Sequence, residues 1–216
     1  MASPVERELV VVDDFAREAA QHIAAFFPKT LVLAGGTSPR LVYEHLSTLD
    51  LPWSEMDIFF GDERCVPPGH PASNYGMAYS ALLSKVGARV HRMSGETCDP
   101  QPYEEELTAV FGSGAPAFDL VLHGLGDDGH TASLFPGDPA LDVTGRRVVR
   151  VEREDHSRLT LTLPLLSSAA VGMFLVSGEA KREVLQQLLA SADIPAARVR
   201  AGRLMIVADR AAAGAA

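Results

Sequence analysis

Phe118-Asp119-Leu120-Val121-Leu122-His123 runs without a break into Gly124-Leu125-Gly126-Asp127-Asp128-Gly129-His130. The first six residues read as a buried strand, and the glycines that follow read as a tight loop at its carboxyl end. The same order recurs along the chain. Residues 31–34 precede Gly35-Gly36-Thr37-Ser38, residues 57–60 precede Gly61-Asp62-Glu63-Arg64, and residues 171–176 precede Ser177-Gly178-Glu179-Ala180-Lys181. Longer amphipathic segments lie between these runs. The pattern predicts an α/β fold, one domain over residues 1–216, with a mostly parallel sheet and helices on both faces. In such a sheet the four turns share one edge, the edge where open α/β sheets bind ligands.

Working outward, strands are expected at 9–12, 30–34, 56–60, 89–91, 118–123, 148–151, 159–163, 171–176 and 204–207. Helices are expected at 13–27, 39–46, 74–83, 103–111 and 179–189, with a last stub from Asp209 toward Ala216. Within 179–189, Val184, Leu185, Leu188 and Leu189 share one face, the period of a helix lying on a sheet.

A length of 216 residues with 47% hydrophobic content is enough for a substantial core. The formal net charge of -9 argues against nucleic acid or an anionic membrane as a partner. It leaves room for a small anion held by a few placed cations. No run of about 18 apolar residues is present. Glu6, Glu8, Asp13, Asp14 and Glu18 interrupt the region where a secretory signal needs apolar residues. Cys65 and Cys98 alone give neither a disulfide framework nor a zinc spacing. The expectation is a cytoplasmic protein with reduced thiols, a monomer or weak homo-oligomer, holding no metal.

Gly35-Gly36-Thr37-Ser38-Pro39 joins a strand to a helix. Ser38 suits the N-cap and Pro39 the first helical position. The free N–H groups of that turn, beside two glycines, then offer close approach to an anion. Beyond the next strand, Asp62 suits sugar hydroxyls and Arg64 a phosphate or sugar acid. Pro67-Pro68 and the helix start at Ser73-Asn74-Tyr75 point to a long, shaped loop around them. The run Gly124 to Gly129 fits a dinucleotide fingerprint, but Asp127 and Asp128 put negative charge where a pyrophosphate would sit. The irregular stretch around Pro136 and Pro139 also replaces the helix that such a site needs, so no cofactor is expected. His130 ends the loop with Asp128 two residues before it and is the candidate general base. His123 stands seven residues from it, which matches no common metal-ligand spacing. Lys181 begins its helix against the helix dipole, which points to an anion held there. Arg158 precedes its strand, so a parallel orientation would put it at the opposite edge.

As an ordered set, these segments resemble the 6-phosphogluconolactonase family. The matching stretches are residues 33–39, 60–67, 73–75, 124–136, 158–160 and 178–181. The resemblance implies a Rossmann-like fold shared with glucosamine-6-phosphate deaminases and ribose-5-phosphate isomerases. It implies hydrolysis of 6-phospho-glucono-1,5-lactone in the pentose phosphate pathway, without a cofactor, and it restores Arg158 as a phosphate or substrate contact. On this reading His130, beside Asp128, activates water. Backbone N–H groups of the glycine loop around Gly129, or Arg64, steady the oxyanion. Gly35, Gly36, Thr37, Lys181 and Arg158 hold the phosphate, while Asp62 and Asn74 meet hydroxyls. His123 stands where a small or apolar residue is commoner. The alternatives are an amino-sugar-phosphate deaminase or isomerase on the same fold, and a non-catalytic sugar-phosphate sensor. The first would carry a glutamate soon after the Gly-His pair, and residues 131–136 contain none.

Overall fold

The apolar runs become strands in the computed structural model, which describes residues 6–114 and 116–215. In chain order the strands are β1 (Arg7–Val12), β2 (Thr30–Leu33), β3 (Asp57–Phe60), β4 (Asp62–Arg64), β5 (Arg89–Val90), β6 (Leu120–His123), β7 (Val148–Val151), β8 (Arg158–Leu161), β9 (Val171–Val176) and β10 (Arg203–Asp209). The helices are α1 (Phe15–Ala25), α2 (Thr37–Leu46), α3 (Asn74–Ala81), α4 (Gln101–Phe111), α5 (Leu163–Leu166), α6 (Arg182–Leu189), α7 (Pro195–Arg198) and α8 (Arg210–Ala213). Ala216, at the end of the expected last helix, lies outside the described residues.

Seven strands pair in parallel in the order β1-β10-β9-β6-β2-β3-β5. From β2 the chain moves toward β3 and β5, whereas from β6 it moves the other way to β9. The order therefore reverses between β2 and β6, and a crevice opens there at their carboxyl ends. Strand alternation explains why helices cover both faces. Leu204, Ile206 and Ala208 of β10 pack with Val184, Leu185 and Leu188 of α6. Met205 and Val207 belong to the opposite cluster, with Ala19, Ala20 and Ile23 of α1. Among the described residues, no helix is long and apolar enough to cross a membrane.

Two buried tyrosines finish the strands at the crevice. The Tyr43 hydroxyl donates to the Ala34 carbonyl and accepts from the Ala34 N–H, both at 2.9 Å. The Tyr103 hydroxyl accepts from the Phe60 N–H at 2.9 Å. Backbone groups that have run past their strand partners are satisfied in this way, so the turns that follow leave the sheet from fixed points.

Two expectations need correction. Asp62-Glu63-Arg64 is not simply loop: as β4 it joins β8 and β7 in a second, antiparallel sheet, with Asp62 opposite Thr160, Glu63 opposite Leu159 and Arg64 opposite Arg158. Arg158 thus reaches the ligand edge, because its strand is not part of the parallel sheet at all. The cysteines are also not free. Cys65, just after β4, is joined to Cys98, with Cα atoms 5.0 Å apart, because the segment after β5 packs at Gly95 directly against the backbone of Arg64 and Val66.

Candidate functional site

The four turns converge as expected. They enclose a cavity of about 230 Å³ whose wall includes Gly35, Gly36, Asp62, Arg64, Gly126, His130, Arg158 and Lys181. Among the described residues, no cluster of three or more His, Cys, Asp or Glu side chains is placed to hold a metal ion.

The His130 ring is fixed from three sides. Its Nδ1 lies 2.6 Å from Asp128 Oδ1, and its backbone N–H donates to the same oxygen at 3.1 Å. One face packs on Phe135, with ring centroids 4.5 Å apart. On another side there is room only for glycine: a Cβ at Gly126 would overlap the ring. An ionised carboxylate only accepts, so Nδ1 carries the proton in the neutral ring and Nε2 keeps its lone pair. Partial burial pushes the Asp128 carboxyl up, but the backbone and ring N–H groups of His130 outweigh this and hold it below the usual carboxylate range. Asp128 therefore stays ionised against the imidazole, and the pair presents a base to the cavity.

A buried polar network forms the adjoining wall. Asp62 accepts from the Ser133 hydroxyl at 2.7 Å and from the Asn74 amide at 3.1 Å. Glu63 lies one residue on, 2% exposed, under the start of α3. It accepts from the Asn74 and Tyr75 N–H groups at 2.6 and 2.7 Å, and from the Ser73 hydroxyl at 3.0 Å. Burial pushes the Glu63 carboxyl up, and these bonds oppose the push. Ser73 caps α3, accepting from the Gly76 N–H at 3.0 Å. Glu63 thus fixes Asn74, and Asn74 fixes Asp62.

Three cations complete the cavity. Arg64 and Arg158 are register partners on β4 and β8, so their side chains leave the same face of that sheet. Arg64 gives Nη1 to the Ala72 carbonyl at 2.9 Å, and Arg158 gives Nη2 to Asp155 at 2.7 Å. The Nε of each is buried without a partner among the described residues. Like charges directly opposite destabilise a sheet, and unpaired buried donors add to that penalty. Lys181, reached through the turn after β9, donates to the Leu125 carbonyl and to Asp127, both at 2.6 Å.

Four sequence candidates stand behind the wall. Asp128 acts on the ring of His130, and Asn74 packs against Gly35, where a Cβ would overlap its amide. Thr37 is the first residue of α2, whose N-cap is Gly36 at φ +107° and not Ser38. The Ser38 hydroxyl bonds instead with that of Ser177 at 2.7 Å. Among the described residues no side chain caps α2, so the Thr37 and Ser38 amides of its first turn have no partner within the helix. Gly129, at φ +82°, has no room for a side chain beside Ile194 and accepts from the Ala196 N–H at 3.0 Å, so its part is to close the loop onto α7. Its own N–H donates to the Gly126 carbonyl and the Gly126 N–H to the His130 carbonyl, which removes both amides from the set that can meet an oxyanion. The sequence assigns no role to Ser133, Glu63 or Phe135; only their place within the matching stretches marks them.

Residues 4–207 match the family described as glucosamine-6-phosphate isomerases/6-phosphogluconolactonase. A Synechocystis sp. protein named 6-phosphogluconolactonase is 43% identical over 196 residues, covering 86% of this chain and 80% of that one. One of the same name from Nostoc sp. is 40% identical over 175 residues, covering 76% and 73%. The solved structure of a 6-phosphogluconolactonase from Thermotoga maritima superposes with a TM-score of 0.82 at 26% identity, covering 94% of this chain and 99% of that one.

Proposed function

The chain belongs to the glucosamine-6-phosphate isomerases/6-phosphogluconolactonase family, and from that premise we propose that its cavity hydrolyses 6-phospho-D-glucono-1,5-lactone to 6-phosphogluconate with His130 as general base. The observation that carries the reading is the meeting of a carboxylate-held imidazole with two like-charged, incompletely paired arginines in one cavity. The arginines call for an anion, and the imidazole supplies a base within the same small volume.

Neutral His130 takes a proton at Nε2 from water as the water oxygen bonds to the lactone carbonyl carbon. The carbonyl becomes an oxyanion, which Arg64 steadies. As the bond from that carbon to the ring oxygen breaks, the imidazolium returns its proton to the departing oxygen. Asp128 holds the ring in the required tautomer and stabilises it while it is charged. Arg158, Lys181 and the backbone at Gly36 and Thr37 hold the phosphate, so that the carbonyl stays near His130. Asp62, oriented by Ser133 and Asn74, meets the sugar hydroxyls. The proposal carries with it a cytoplasmic reaction in a monomer or weak homo-oligomer with no nucleic-acid partner.

The test is the purified chain with freshly generated 6-phosphogluconolactone, read against spontaneous opening, with glucosamine 6-phosphate as the rival substrate. Accelerated lactone opening without ammonia release supports the reading. A folded chain that leaves the spontaneous rate unchanged and releases ammonia from the amino sugar overturns it.

A further inference from the structure

Two of the three cations in the cavity are already engaged by carboxylates that the reaction above does not use. Lys181 Nζ lies 2.6 Å from Asp127 Oδ1, and Arg158 Nη2 lies 2.7 Å from Asp155 Oδ2. In each pair the cation is the sheltered partner. The Lys181 and Arg158 side chains are 25% and 10% exposed, against 80% and 58% for Asp127 and Asp155. Each carboxylate therefore covers its cation from the solvent side. Asp155 also borders an open depression of about 800 Å³ that adjoins the cavity through Arg158, so there is space into which it can turn.

We propose that Asp127 and Asp155 are displaceable counter-ions that set how tightly the cavity holds an anion and how readily that anion leaves, an inference that rests on reading the cavity as a phosphate site. An entering anion must take the place of a carboxylate on Lys181 or Arg158. A monoanion exchanges one single charge for another and gains little. A phosphate dianion brings a second charge and more acceptor oxygens to the same donors, so the exchange runs in its favour. The displaced carboxylates lose little, because exposed ion pairs are weak and water solvates the released group. The pairs also act on departure. Opening the lactone adds a carboxylate to a phosphorylated sugar, and the two aspartates compete for the cations as this more anionic product leaves. Asp127 and Asp155 thus tune affinity and release without touching the reacting atoms.

The test is calorimetric binding of inorganic phosphate at about pH 8, where it is a dianion, and of nitrate as a monoanion. The proteins are the wild-type chain, Asp127→Asn, Asp155→Asn, Lys181→Met and the double variant Asp127→Asn/Lys181→Met. Removing either carboxylate is expected to tighten phosphate binding about two- to fivefold, the range for an exposed pair. Nitrate, which must displace the same carboxylate, should tighten by no more than the same factor. The gain at Asp127 should vanish when Lys181 is also replaced. Unchanged or weaker phosphate binding in both single variants overturns the proposal, because the carboxylates would then be holding the cations in place. Absence of phosphate binding in every variant overturns it as well. No lactone enters this measurement, so a chain that binds phosphate as expected but leaves the lactone untouched would refute the reaction and not the counter-ions.

Discussion

His123 closes β6 one residue before the glycine loop and is 1% exposed. Its ring stacks on Phe174, with centroids 4.8 Å apart, and its Nε2 has no hydrogen-bond partner among the described residues. Burial pushes its pKa from the ordinary 6.5 down to about 3. The unfolded chain therefore takes up a proton at His123 below pH 6.5, while the folded chain resists it until about pH 3. The neutral ring contributes full stability above 6.5, and this drains as the pH falls from 6.5 toward 3. The slope is about 1.36 kcal/mol per pH unit. Urea unfolding of the wild type and His123→Leu at pH ~7.5 and pH ~5 isolates the effect, because other titrating groups cancel between the two proteins. Wild type should lose about 2 kcal/mol more than the variant over that interval. Equal losses in the two proteins would mean that the imidazole is protonated as readily in the fold as in the unfolded chain.

Gly126→Ala forces the His130 ring aside, and a shift of about 1 Å at a catalytic group lowers turnover on the order of 100-fold; kcat with an unchanged thermal midpoint is the check. Lys181→Met is expected to raise KM with kcat largely kept, and a loss confined to kcat would move Lys181 from phosphate holding to the chemical step. Glu63→Ala strips acceptors from the Ser73 hydroxyl and the first amides of α3, and chemical unfolding should register a loss of about 3 kcal/mol.

Much of this arrangement is legible in the amino-acid sequence because burial writes itself as apolar runs. Residues 148–151 and 171–176 are strands over the bounds that their composition indicates. The turns after β2, β3, β6 and β9 meet because parallel strands leave them no other edge. The second sheet is not legible in the same way. Asp62-Glu63-Arg64 has no apolar period, and its register with β8 comes from pairing with a segment far along the chain. Arg158 reaches the ligand edge only through that antiparallel pairing. The start of α2 differs from the expected one for a local reason: Ser38 has the better capping chemistry, but only glycine readily takes the φ of +107° that the turn demands at Gly36. Glu63 reads as one charge in a polar loop until its four hydrogen-bond donors are placed around it. The Cys65–Cys98 link depends on two loops whose proximity no spacing rule encodes.

In the proposed reaction His130, held by Asp128, is the base that opens a phosphorylated lactone. The most direct test is the rate of 6-phosphogluconolactone hydrolysis above the spontaneous background for wild type and His130→Ala, with folding verified by matching circular dichroism. Wild type should hydrolyse the lactone rapidly, and the variant should lose about 10²–10⁴-fold. A folded His130→Ala protein that retains nearly the wild-type rate would contradict that role of His130.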